Sequence, residues 1–247
     1  MHTHVAFLLN SNPTANPLIA RSPGWYLEES EIMHEARDWY AGRIVKITVD
    51  SLRKNGFTAF NVPSKDEALK KLLEIIPVDA KVGVGGSVTI REIGLVKALE
   101  ERGNPVADHW RPGLSKEELR RVRRSHLTSD VFLSSSNAVT MDGKLLNADG
   151  TGNRVAAMIF GPSKVIIVAG INKIVKNAEE GLTRIRNVAS PMNANRLGYK
   201  SPCGLTGMCA EDECEPPERL CHIITILERR PNETDTTIVI VGERLGY

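Results

Sequence analysis

The chain has 247 residues, of which 41% are hydrophobic and 25% charged, and its formal net charge is +2. These values suit a soluble globular protein with one fairly large α/β domain, or one domain with a small appendage. They lack the strong basic bias of a duplex-binding protein, and no apolar run approaches the ~20 residues needed to cross a bilayer. Met1 to Asn10 carries no basic n-region and only a short apolar stretch, so no signal peptide is read there and a cytoplasmic location is expected.

In chain order, residues 1–27 are expected to form an irregular N-terminal segment, rich in Asn, Ser and Pro over residues 10–24. The spacing of Ile32, Ala36, Tyr40, Ile44, Ile47 and Leu52 predicts a helix from about Glu28 to Lys54, stopped by Gly56. Phe57–Val62 reads as a strand, and Ser64 with Glu67 forms a capping box that opens the next helix. Ala80–Val84 reads as a buried strand, Thr89–Glu101 as a helix and Val106–Asp108 as a strand. Ser115–His126 reads as a helix with its own Ser115/Glu118 box. Val131–Ser135, Val165–Ala169 and Ile238–Val241 are apolar runs typical of central parallel strands. Ile174 to about Val188 is expected to be helical, and Ile223–Leu227 a strand. Such alternation predicts an α/β fold, an open and mostly parallel sheet with helices on both faces, whose ligands bind beyond the carboxyl ends of the strands.

Three loops lie at those ends. Gly85-Gly86-Ser87 follows a strand and precedes a helix whose start is marked by Thr89 and Glu92. Adjacent glycines let backbone approach a ligand, and a helix start attracts anions, although a plain tight turn explains the pattern equally well. The run Ser134-Ser-Ser136-Asn137 leads through an Asp142-Gly143 turn to Asn147, Asp149, Gly150, Gly152, Asn153 and Arg154, just before the apolar run Val155–Phe160. Asx residues closing turns would explain part of it, but so many polar groups converging at a strand end favour a ligand site. Asn172-Lys173 follows a strand, where a lysine can pair with a carboxylate or phosphate. The anion would be held by Arg154 and Lys173. His109, His126 and His222 read as surface or turn residues, and Arg120, Arg121, Arg123 and Arg124 as a solvated helix face, so no nucleic-acid partner is expected.

Read together, Gly85–Gly94, Ser135–Gly143, Asn147–Ala156, Gly161–Ile166, Gly170–Val175 and Val241–Tyr247 resemble the lactate-utilisation (LUD) domain family over roughly residues 28–247. The resemblance implies one LUD-like α/β domain with a fold like that of the sugar-phosphate isomerase and coenzyme A transferase group (NagB/RpiA/CoA-transferase-like). For some members it implies a link to lactate use through iron–sulfur oxidoreductases. No glutamate stands near Ser135-Ser136-Asn137, which argues against covalent transferase chemistry.

Cys203, Cys209, Cys214 and Cys221 are the chain's four cysteines, spaced Cys-x5-Cys-x4-Cys-x6-Cys in a stretch expected to form a metal-binding insert over residues 201–222. Thiols crowded in an intracellular protein point to metal. Long Gly- and Pro-rich gaps suit a loop around a [4Fe–4S] cluster, structural zinc is the alternative, and free or redox thiols are the third reading. Some LUD members carry a comparable Pro-Cys…Thr-Gly-x-Cys…Cys…Arg-x-x-Cys motif. The expected function is that of a redox enzyme or oxidoreductase subunit of lactate-type carboxylic-acid metabolism, with an anionic small-molecule ligand, an iron–sulfur cluster and redox partner proteins. A non-catalytic metabolite-sensing protein with structural zinc is the alternative. A homo-oligomer is compatible with the sequence, and no membrane partner is expected.

Overall fold

A computed structural model describes residues 23–247, with side chains from residue 33 onward, so most of the segment expected to be irregular lies outside the described residues. The chain divides into two compact units, Met1–Tyr40 and Ala41–Tyr247. Helix α1 runs over Pro23–Lys54, and in the first unit its Met33, Trp39 and Tyr40 are exposed. In the second unit its Val45, Val49 and Leu52 recur at helical spacing and are buried. Gly56, at φ 87°, ends the first turn beyond it.

The second unit is built on a six-stranded sheet with strands in the order β1-β10-β7-β4-β2-β3, every neighbouring pair parallel. The strands are β1 (Thr58–Val62), β2 (Val82–Val84), β3 (Val106–Asp108), β4 (Val131–Ser134), β7 (Lys164–Gly170) and β10 (Asp235–Val241). Alternation along the strands divides the core into two. Ile166, Val168, Val239 and Val241 pack with Leu72, Leu95 and Leu99 on one side, whereas Val165, Ile167, Ile238 and Ile240 pack with Val49, Leu52 and Met158 on the other. The first side carries α2 (Lys65–Ile75) and α4 (Leu95–Arg102), the second the end of α1 and α6 (Asn153–Ile159). A second sheet of four strands, in the order β8-β5-β6-β9, joins β5 (Ala138–Thr140), β6 (Leu145–Asp149), β8 (Ile174–Val175) and β9 (Ile223–Leu227). Asp142-Gly143 turns β5 into antiparallel β6, and Asn55 Nδ2 donates to the carbonyls of both turn residues at 3.0 and 2.8 Å.

Two predicted helices come out differently. Thr89–Glu101 is broken into α3 (Val88–Glu92) and α4, because Gly94 takes φ 73° between them. The cap of α3 is Ser87, whose Oγ accepts from Ile90 N, rather than Thr89. The segment predicted helical from Ile174 begins as strand β8; α7 (Ala178–Arg184) follows, widens into a π-type stretch over Ile185–Ala189 and continues as α8 (Ser190–Leu197). Helix α5 (Lys116–Ser125) carries both halves of the Ser115/Glu118 box. No described helix is long and apolar enough to cross a membrane.

His126, read from sequence as a surface or turn residue, is fully buried, with Nε2 at 3.1 Å from the Ala107 carbonyl oxygen. Burial, reinforced by the nearby His109, pushes its pKa down to about 4. The unfolded chain therefore takes up a proton near pH 6.5 that the folded chain refuses until about pH 4. We expect this residue to cost about 2 kcal/mol of stability between pH 7.5 and pH 5. Urea unfolding at the two pH values should show that loss in the wild type and a smaller one in His126→Gln.

Candidate functional site

The carboxyl ends of β10, β7, β4 and β2 lie side by side, and the loops leaving them wall a cavity of about 370 Å³. Its lining includes Gly85, Gly86, Ser87 and Thr89 after β2, Ser135, Ser136 and Asn137 after β4, and Lys173 after β7. Asp149, Gly150, Asn153 and Arg154 close another side, at the end of β6 and the start of α6. Glu92, Asn147, Gly152 and Asn172, also singled out from sequence, are outside that lining and brace it. Asn172 Nδ2 donates to Gly246 O at 3.1 Å while its Oδ1 accepts from Leu245 N at 3.0 Å, and Glu92 accepts from Gly246 N at 2.6 Å. Asn147 Oδ1 accepts from Arg154, and Gly152, at φ 87°, precedes the first residue of α6.

Lys173 is the chemical centre of this arrangement. Its side chain is only 3% exposed, and Nζ lies 2.9 Å from both Thr89 Oγ1 and Ser135 Oγ. Burial, together with the positive charge of Arg184 and Arg154, lowers its pKa from 10.5 to about 7. Ser135, rather than the neighbouring Ser136, makes the contact; Ser136 Oγ donates instead to Ala138 O and Leu146 O within its own turn. Gly246 closes the floor: its φ is 55°, and a Cβ there would stand 2.5 Å from Thr89 Oγ1 and 3.2 Å from Lys173 Nζ. Gly85 is required on the opposite side, where a Cβ would fall 2.5 Å from Phe132 Cζ.

Arg154 is a brace. Its guanidinium donates to Ser135 O (2.9 Å), Asn147 Oδ1 (2.7 Å), Asn137 Oδ1 (3.1 Å) and Ala148 O (2.8 Å). Asp149, the acid of the lining among the described residues, is occupied as well: it accepts from the backbone N–H groups of Thr151, Gly152 and Val155 and stands 3.8 Å from Arg154 Nε. Arg123, Arg196 and Arg219 add positive charge to the walls. The cavity is thus electropositive, because its one lining carboxylate is already matched by Arg154.

Sequence reasoning passed over several wall residues. Arg123 belongs to the arginine run of α5, yet its Nε is buried with no hydrogen-bond partner among the described residues. Arg91 and Arg196 each stack on Trp110 at 4.3 Å, and Arg196 donates to Tyr247 Oη at 2.6 Å. His109 Nδ1 is 3.1 Å from Val84 O, which fixes its ring beside Gly86. A signal for Gly246 and Tyr247 was present, since the closing Val241–Tyr247 stretch is one of the segments that resemble the LUD family.

The expected metal centre is not formed. Among the described residues no three His, Cys, Asp or Glu side chains are placed to hold a metal ion, so Cys203, Cys209, Cys214 and Cys221 fit neither an iron–sulfur cluster nor zinc. All four are free. Cys203 is buried in the short helix α9 (Pro202–Thr206), Cys209 is exposed beyond its end, and Cys214 follows the turn Glu211–Glu213. Cys221 Sγ donates to Ser190 Oγ at 3.0 Å. Arg219 fixes the loop through backbone carbonyls, donating to Cys221 O at 3.1 Å and Cys214 O at 3.0 Å. Burial, with repulsion from neighbouring cysteines, pushes the Cys209, Cys214 and Cys221 thiols up. The oxidoreductase role that rested on a cluster, and the structural zinc of its alternative, fall with the site.

Residues 45–241 match the profile of the LUD domain. The chain belongs to the LUD domain family. No curated protein matches this LUD domain. Among solved structures, a DUF162 family protein from Deinococcus radiodurans is similar, at 15% identity and a TM-score of 0.49, over 82% of this chain and 98% of that one.

Proposed function

We propose that this LUD domain binds a small organic anion in the cavity over the strand ends and that Lys173 is the group that meets it. The observation that carries this reading is a buried lysine opening onto a cavity walled by cations. An anion there gains from Arg123, Arg196 and Arg219 together, and the glycines at 85 and 86 let it approach backbone N–H groups. The volume suits a metabolite-sized ligand rather than a polymer. Resemblance to the sugar-phosphate isomerase and coenzyme A transferase group supports the same placement by analogy alone.

Thermal unfolding with pyruvate, 2-oxoglutarate and inorganic phosphate tests the proposal, with pyruvamide as the uncharged control. A ligand at about 100 times its Kd adds about 2.7 kcal/mol of stability, which for a domain of this size raises Tm by roughly 5 to 10 °C. At least one anion should do so, less at high salt, and the response should shrink at least about ten-fold in affinity in the Arg123→Ala/Arg196→Ala double variant. Equal stabilisation by pyruvamide, or an unaltered response in the double variant, would overturn the reading.

A further inference from the structure

We infer that Lys173 is a covalent nucleophile, and that the ligand class of this cavity is a 2-oxo carboxylate held as an imine on Nζ. The inference rests on the anion-binding reading above and goes further, since it assigns a bond.

Geometry is the first support. A neutral amine has two N–H bonds and one lone pair. Thr89 Oγ1 and Ser135 Oγ, each 2.9 Å away, accept the two N–H bonds, so the lone pair is left without a protein partner among the described residues. The hydroxyls themselves have carbonyls to donate to: Leu245 O lies 3.5 Å from Thr89 Oγ1, and Ser136 O lies 3.4 Å from Ser135 Oγ. That hydrogen-bond pattern fits an amine and needs no counter-ion, and no ion pair to Lys173 is present among the described residues. Gly246 keeps space beside Nζ that a Cβ would fill.

The surrounding charge is the second. Arg184 and Arg154 together outweigh the opposing charge of Glu92 at Nζ, and both guanidiniums are tied to backbone carbonyls of neighbouring loops. One field therefore has two effects: it disfavours an ammonium at Nζ and favours a carboxylate next to it. A molecule that carries an electrophilic carbon beside a carboxylate answers both. At pH 7 an amine of this kind has a free fraction roughly 10³ times that of an ordinary surface lysine.

The step balances without an oxidant. The Nζ lone pair adds to the keto carbon, the carbonyl π pair moves to oxygen, and a proton passes from nitrogen to that oxygen, with Ser135 Oγ placed to relay it. The carbinolamine then loses its hydroxyl with a second nitrogen proton, as water, leaving a carbon–nitrogen double bond. Amine plus ketone gives imine plus water, and neither partner is oxidised or reduced.

The full-length protein is incubated at pH 7 with glyoxylate, pyruvate or 2-oxoglutarate, reduced with sodium cyanoborohydride, digested and mapped by mass spectrometry. Hydride from the reagent fixes the imine as a secondary amine, so the expected gain is the mass of the acid less one oxygen atom. At least one acid should label Lys173 at least about ten-fold more than any other lysine, given its larger free-amine fraction, and urea-unfolded protein should lose that preference. Ser135→Ala should label more slowly at the same site. No preferential adduct on Lys173 from any of the three acids overturns the inference. If the acids still raise Tm while leaving Lys173 unlabelled, the imine fails and the anion site stands. If they neither bind nor label, both readings fail.

Discussion

Replacing Arg154 with alanine is expected to destabilise the protein by roughly 3 to 5 kcal/mol, the usual cost of removing one member of a buried charged network. From sequence this residue reads as an anion holder. In the structure its guanidinium donates to the strand end at Ser135, to Asn137 and Asn147, and to the β6 backbone at Ala148, with Asp149 at 3.8 Å. Truncation takes a charged donor from each of those acceptors and the counter-charge from Asp149, and the walls on either side of Lys173 lose their common tie. Urea denaturation of the variant measures the loss. A change below about 1 kcal/mol, of the size expected at a surface position, would mean that the guanidinium is free to serve a ligand.

Lys173→Met is expected to do the opposite. The wild-type lysine is held near neutrality in a place that resists its charge, with a pKa of about 7 against 10.5 for the ordinary side chain. Because the unfolded chain binds a proton that the folded chain gives up, the wild type is penalised at pH 7 by about 4 kcal/mol, and the penalty fades as the pH rises from 7 towards 10.5. Methionine removes the penalty and leaves Thr89 and Ser135 each without one hydrogen bond, a loss of about 1 kcal/mol apiece. We expect the variant to be more stable than the wild type by about 2 kcal/mol at pH 7, with the advantage gone by about pH 9, and to lose the thermal response to anions. Unfolding curves at pH 7 and pH 9.5 measure both. A variant destabilised equally at the two pH values would show that Lys173 is an ordinary charged lysine with a structural role.

Much of the frame is legible in the sequence because its signals are local. Val165–Ala169 and Ile238–Val241 are apolar on both faces, as strands covered on both sides must be, and the Ser115/Glu118 box marks the start of α5. The small polar residues after Leu133 mark a strand end for the same reason. The break at Gly94 is not legible, since apolar spacing runs through it and only a φ of 73° reveals the turn. Ile174 is a comparable case: its apolar run serves a helix or a strand equally well, and pairing with β5 decides it.

The site is less legible because a donor's direction is a tertiary property. Arg154 and Lys173 look alike in sequence and both line the cavity, but Arg154 is spent on carbonyl and amide oxygens whereas Lys173 Nζ meets two hydroxyls. Arg123 looks solvated in a run of arginines, although one turn of α5 carries its Nε inward. The cysteines mislead for a related reason. Proximity along the chain implies a shared centre, and the thiols do lie near enough to raise one another's pKa, yet among the described residues no three of them are placed to hold a metal ion.

The titration of Lys173 itself tests the central claim most directly. In protein labelled with ¹³C at lysine Cε, its resonance is assigned by its disappearance in Lys173→Met and followed across pH, first alone and then with pyruvate, 2-oxoglutarate or phosphate. A midpoint near 7 that moves when one of these anions is added is the predicted result. A midpoint near the ordinary 10.5, unmoved by any of them, would contradict an amine poised over an anion site.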